Sequence, residues 1–171
     1  MDDRPTILFL CTGNAARSVM ARAMLAARDD RFVAAGAGTF VIEGQPMSVR
    51  TRTALARYEI VDRTHRSLQL WAVDARQADL LVAMAPEHVE WVRREIPEAA
   101  GRTITLKRLV RDLGAVPADA TFAQRVIALG AADVTLESWE EIVDPAGGEQ
   151  PQFDQCAAEI AALVDQLLNL L

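Results

Sequence analysis

Ile7-Leu8-Phe9-Leu10-Cys11-Thr12-Gly13-Asn14-Ala15-Ala16-Arg17-Ser18 is the stretch whose reading decides the fold. The apolar run Ile7–Leu10 has the length and continuity of a strand buried on both faces, as in a parallel sheet. After Ser18, the residues Val19, Met20, Ala23 and Met24 return at helical spacing, so a helix starts near residue 16. Thr12 to Ala16 therefore form a loop between a strand and a helix. The first amide N–H groups of a helix have no partner inside it, and they carry the positive end of its dipole. An oxyanion held in such a loop gains both.

Each residue type in the loop suits that use. Gly13 can adopt positive φ and Asn14 tolerates the left-handed region, so the chain can curl into a nest of N–H groups together with Thr12, Ala15 and Ala16. A cysteine at the floor of such a nest has its pKa drawn from about 8.5 toward roughly 3.5–7.5, which makes Cys11 a candidate nucleophile. Arg17 carries a planar fork of donors that grips two phosphoryl oxygens at once. The Ser18 hydroxyl is placed to stabilise the sulfur when it leaves.

Beyond the loop, strands are expected at Ile7–Leu10, Phe32–Ala35, Leu80–Met84 and Ile104–Leu106, with helices near 16–28, 47–58, 86–95 and 153–169. This alternation argues an α/β architecture, a parallel sheet covered on both faces. Ligands in such sheets bind at the carboxyl ends of the strands, where Cys11 stands. In the last helix Phe153, Cys156, Ile160, Leu163, Val164 and Leu167 share one face, so Cys156 is read as core. Phe122, Val126, Ile127 and Leu129 suggest an additional helix in a long segment around 111–140, read either as a packed insertion or as a lid or partner surface beside the site.

The chain has 171 residues, two cysteines and a formal charge of −6. That length suits one domain, spanning 1–171. An acidic balance argues against nucleic acid or an anionic membrane as a partner. Two cysteines without a leader or a long apolar run point to a reducing cytoplasm. No His/Cys/Asp cluster has zinc spacing, and neither a metal nor a cofactor is expected.

The opening motif resembles the signature of the low-molecular-weight protein tyrosine phosphatase family. Gly44-x-Pro46, Thr64-His65-Arg66-Ser67, Ala78–Met84 with His88 and Pro97, and Val143-Asp144-Pro145 follow in the family's order. The resemblance implies a three-layer sandwich with a parallel four-stranded sheet, of flavodoxin-like type. It also implies hydrolysis of a phosphotyrosine protein or a small aryl phosphate through a phosphocysteine, with Cys11 as nucleophile, Arg17 as clamp and Asp144 as general acid.

Proline after Asp144 stiffens the turn that presents its carboxyl. Where tyrosine-specific members carry aromatic residues after Asp-Pro, this chain has Ala146-Gly147, which leaves Phe40, or Trp139 from the long segment, as the candidate pocket wall. Arg22 stands where the family has glutamate and Ala35 where it has serine, so Asn14 needs other support, for which His65 is the candidate. Ala16 replaces the loop cysteine that relatives use to protect the nucleophile from peroxide. Two other activities fit the same cradle: arsenate reduction with an external low-molecular-weight thiol, and non-catalytic sensing of phosphate.

Overall fold

The computed structural model describes residues 3–171. Strands β1 (Thr6–Cys11), β2 (Val33–Gly38), β3 (Leu80–Ala83) and β4 (Thr103–Thr105) form one sheet in the order β2-β1-β3-β4. Every neighbouring pair is parallel, with Leu8 opposite Ala35 on one side and Leu81 on the other. Seven α-helices surround the sheet among the described residues: α1 (Arg17–Arg28), α2 (Val49–Ala56), α3 (Ala72–Gln77), α4 (Pro86–Glu95), α5 (Leu106–Leu113), α6 (Phe122–Ala128) and α7 (Gln150–Leu170).

The pleat of β1 divides the core. Ile7, Phe9 and Cys11 pack into the cluster that holds α1, α5 and α7, while Leu8 and Leu10 pack with Leu70, Ala75, Val92 and Ile96 on the opposite face. Central strands covered on both faces explain why the run Ile7–Leu10 is continuous rather than alternating. The expected parallel α/β sandwich is therefore the observed one.

Two expected elements shift. The stretch Ile104–Leu106 is not wholly strand: β4 ends at Thr105, whose hydroxyl caps α5 by accepting from Arg108 N, and Leu106 begins the helix. Sequence periodicity also passed over α3, which lies in the path from the support loop at 62–68 to β3.

The segment 111–140 carries α6, entered through Thr121, whose side chain caps Gln124 N. Phe122 meets Phe32 with ring centroids 5.5 Å apart, and Val126 and Leu129 join the core, whereas Ile127 is exposed. A buried ion pair then secures the approach to Asp144. Glu140, fully buried, accepts from Arg108 Nη2 at 2.5 Å and from Thr105 Oγ1 at 2.6 Å. Burial works to raise the Glu140 pKa, but the hydrogen bonds from Arg108 and Thr105 outweigh it and hold the carboxyl below its ordinary range. Two residues further on, Ile142 N donates to Met84 O at 2.9 Å, which ties the chain to the carboxyl end of β3.

Candidate active site

Cys11 is the last residue of β1 and is buried, its Sγ 2.9 Å from Ser18 Oγ in the first turn of α1. The loop between them is shaped by Asn14, which sits at φ 49°. Gly13 does not use the positive φ open to a glycine. Its contribution is space: an added Cβ there would touch nothing within 4 Å, and Gly13 lines the cavity above Cys11. The floor is thus left open for a ligand. The N-cap of α1 is Ala16, which offers no capping side chain, so the helix's first amides are left to whatever enters the loop.

Asn14 is held from several sides. Its Nδ2 donates to Ser18 Oγ at 2.9 Å, its Oδ1 accepts from Leu68 N at 3.0 Å, and its carbonyl oxygen lies 3.0 Å from His65 Nε2. A carbonyl only accepts, so Nε2 of His65 carries the proton. Burial pushes the His65 pKa down, and the ring is neutral at ordinary pH. The support loop bearing His65 is organised by Asp62, whose Oδ1 accepts from Thr64 N at 2.9 Å and His65 N at 3.1 Å while Oδ2 pairs with Arg22. Arg22 thus braces the same asparagine indirectly, through a loop rather than by contact.

Other elements fix the remaining loop atoms. Thr51 of α2, fully buried, donates its hydroxyl to Ala15 O at 3.0 Å. His88 of α4 places Nε2 2.9 Å from Thr12 Oγ1; burial foremost, and then the Arg17 charge, pushes its pKa down to about 3.

Arg17 joins this loop to a segment far along the chain. Its Nη1 donates to Ile142 O at 3.0 Å and its Nη2 to Asp144 Oδ2 at 2.9 Å, with the guanidinium buried and the carboxylate partly open to solvent. The other Asp144 oxygen accepts from Ala146 N at 3.0 Å, and Gly147 completes the turn at φ 81°. Proline, aspartate and glycine therefore make a self-bonded turn that presents a carboxylate above Arg17.

A cavity of about 320 Å³ opens at Cys11, bordered by Gly13, Arg17, Arg50, Asp144 and Phe153 among others. Phe40 is not at this wall: it is 83% exposed and absent from the cavity lining, although Thr39 N and Phe40 N donate to Cys11 O and Thr12 O. Trp139 is not there either, since its ring is stacked under Arg108 and Arg111. The aromatic wall is Phe153 from α7, a residue whose spacing marked it only as core. No described residue of 111–140 lines the cavity, so the lid reading of that segment has no contact behind it. Cys156 is core as expected, with burial pushing its thiol up to about 12.

Fold and site together define an α/β protein with a cysteine-and-arginine oxyanion loop at the end of its first strand. Residues 6–119 match the profile described as low molecular weight phosphotyrosine protein phosphatase. The chain is 30% identical over 166 residues to the protein-arginine-phosphatase of Geobacillus stearothermophilus, covering 96% of this chain and 95% of that protein. The solved structure of YwlE arginine phosphatase from the same organism superposes with a TM-score of 0.78 at 30% identity, covering 96% and 91% of the two chains. The low molecular weight protein tyrosine phosphatase from T. tengcongensis superposes with a TM-score of 0.78 at 29% identity over 98% and 99%. The chain belongs to the low-molecular-weight protein tyrosine phosphatase family and is a phosphatase of that type.

Proposed function

We propose that this protein removes the phosphoryl group from a phosphoprotein through a covalent phosphocysteine. In the first step Cys11 Sγ attacks phosphorus, the S–P bond forms and the bond from phosphorus to the leaving group breaks, P–O in a phosphotyrosine and P–N in a phosphoarginine. Asp144 gives its proton to the leaving oxygen or nitrogen. In the second step water attacks phosphorus, Asp144 takes the water's proton, and the S–P bond breaks with Ser18 stabilising the departing sulfur. Arg17 and the loop amides hold the equatorial charge throughout.

The observation that carries this reading is the pair of bonds from Arg17 to Asp144 and Ile142. They bring the acid turn over the loop whose floor is Cys11. An incoming phosphoryl group would take over the guanidinium that Asp144 now holds, freeing the carboxyl for proton transfer.

Phosphotyrosine is the first substrate class, because Phe153 offers a ring at the cavity and a phenoxide leaving group needs a proton. Phosphoarginine is the second, favoured by Ala146 and Gly147, which build no aromatic wall from the acid turn, and by the likeness to a named arginine phosphatase. A reducing cytoplasm is the setting in which a free Cys11 thiol persists. The test is phosphate release from matched phosphotyrosine and phosphoarginine peptides, without added metal, for the wild type beside Cys11→Ser. Release that vanishes in the variant is expected. Release that survives it would overturn the phosphocysteine, and binding of phosphate with no release would leave a sensor.

A further inference from the structure

Among the cavity's described lining residues Arg17, Arg50 and Asp144 are charged, and the reaction uses only two of them. Arg17 clamps the phosphoryl group and Asp144 moves the proton. Arg50 has no part in either step, yet its position is fixed by unusually direct means. It is the second residue of α2, next to Thr51, whose buried hydroxyl bonds the phosphate loop at Ala15 O, and Ser48 Oγ caps the same turn by accepting from Thr51 N at 3.1 Å. On the other side Gln150 Nε2 donates to Arg50 O at 3.1 Å. The backbone of Arg50 is thus bolted to the nucleophile's loop and to the start of α7.

Its side chain is not bolted. The guanidinium pairs with Glu149 at 2.5 Å, with the two side chains 46% and 77% exposed. An ion pair so open to water holds the fold weakly and is exchanged at little cost. A rigid mount with an exchangeable head, at the mouth of a cavity on an acidic protein, is the arrangement that reads a carboxylate on a partner.

We propose that Arg50 recognises an aspartate or glutamate adjoining the phosphorylated residue of the protein substrate. The proposal rests on the phosphoprotein reading above. Ser48 and Arg50 at the start of α2 line the cavity together with Ala146 and Gly147, so peptide flanking a phosphorylated side chain held there would pass Arg50. The substrate carboxylate displaces Glu149 from the guanidinium, and Glu149 swings into solvent. Exposed Val49, beside Arg50, adds apolar surface for the same segment.

The experiment compares kcat/KM for three phosphopeptides that differ only in the flanking residue, Glu, Gln or Lys, with p-nitrophenyl phosphate as the flank-free control. In the wild type the Glu peptide should be turned over about threefold to tenfold better than the Lys peptide, and the preference should shrink as salt is raised. Arg50→Glu should reverse the order. Arg50→Gln sets no carboxylate against Glu149 and should flatten the order, which keeps the test readable if the charge reversal distorts the acid turn.

Glu149→Gln should raise kcat/KM for the Glu peptide by removing the internal competitor. Equal turnover of the three peptides by the wild type, or an order that survives Arg50→Glu, would overturn flank recognition alone. Turnover of p-nitrophenyl phosphate with none of any peptide would overturn the phosphoprotein reading and the proposal with it.

Discussion

Gly38 has no room for a side chain: a Cβ there would lie 2.4 Å from Thr12 O and 2.4 Å from Val41 Cγ2, with Asn14 N at 3.0 Å. Backbone of the phosphate loop cannot retreat without losing its shape, so Gly38→Ala should weaken phosphate binding at least tenfold and lower stability by about 1–3 kcal/mol. Titration with phosphate and a denaturant melt check both. Asp144→Ala should slow release of a high-pKa phenol by roughly a hundredfold or more and release of p-nitrophenol far less, because only the former needs a proton. Equal losses on both would remove Asp144 from the acid role.

The two residues differ in how they can be read. Cys11 and Arg17 announce themselves through residue type and near neighbours and Asp144 through its place in the family's order of motifs, whereas the need for glycine at 38 arises from the register that sets Cys11 against it across the sheet. Phe153 and Arg50 were hidden for the same reason. Helical spacing says which face of α7 is apolar, not that one ring of it borders a cavity.

At the level of elements, the turn that carries Asp144 depends on a brace just before it at Glu140 and Glu141. Arg108 and Glu140 form a buried pair at 2.5 Å, and Lys107 Nζ donates to Glu141 O at 2.6 Å, so the strand of chain leading to Asp144 is fastened to α5. Glu140→Gln removes the fully buried carboxylate but leaves Arg108 with Thr135 O, Glu137 and Asp112 as partners, so it should cost about 1–3 kcal/mol. A thermal melt reads that loss, and turnover of a high-pKa leaving group should fall further than binding of phosphate.

None of this was legible in advance. Arg108 and Glu140 are 32 residues apart and carry no motif. The start of α5 reads as strand in the sequence, since Ile104-Thr105-Leu106 is β-branched and apolar, and only in the fold does the threonine hydroxyl become a cap. The helix at 122–128 was legible because its apolar residues recur at helical spacing, although Ile127 faces water. Arg22 was visible as a departure from the family pattern. Its consequence, a pair with Asp62 that shapes the loop carrying His65, was not.

Across the whole molecule, acid should act through buried histidines before it acts through carboxylates. The unfolded chain takes a proton on His88 near the ordinary value of 6.5, while the native state refuses it until about 3. Native stability therefore falls as pH drops from 6.5 toward 3, and the His65 shift has the same sign. His88→Gln should flatten that part of a stability-against-pH curve, measured by denaturant unfolding at each pH.

Asp62 follows at lower pH. Burial works to raise its pKa, yet hydrogen bonds from Arg22 and Thr64 hold it at about 2 against an ordinary 3.8, so its contribution is present above 3.8 and is lost as pH falls through about 2. The sheet and its layers were legible from alternating patterns alone. Long-range closure was not, because nothing local announces which distant segment an arginine will hold.

That closure has a temporal side. Arg17 and Asp144 are 127 residues apart, and α7, which packs on α1, is added after both. A chain emerging from the ribosome at about 5–20 residues per second carries Cys11, the proposed nucleophile, for several seconds before it carries Asp144, the proposed acid. During that interval Cys11 and the loop amides meet phosphate, peroxide and other thiols without the turn that later pairs with Arg17. The order of synthesis thus makes turnover the last property the molecule acquires.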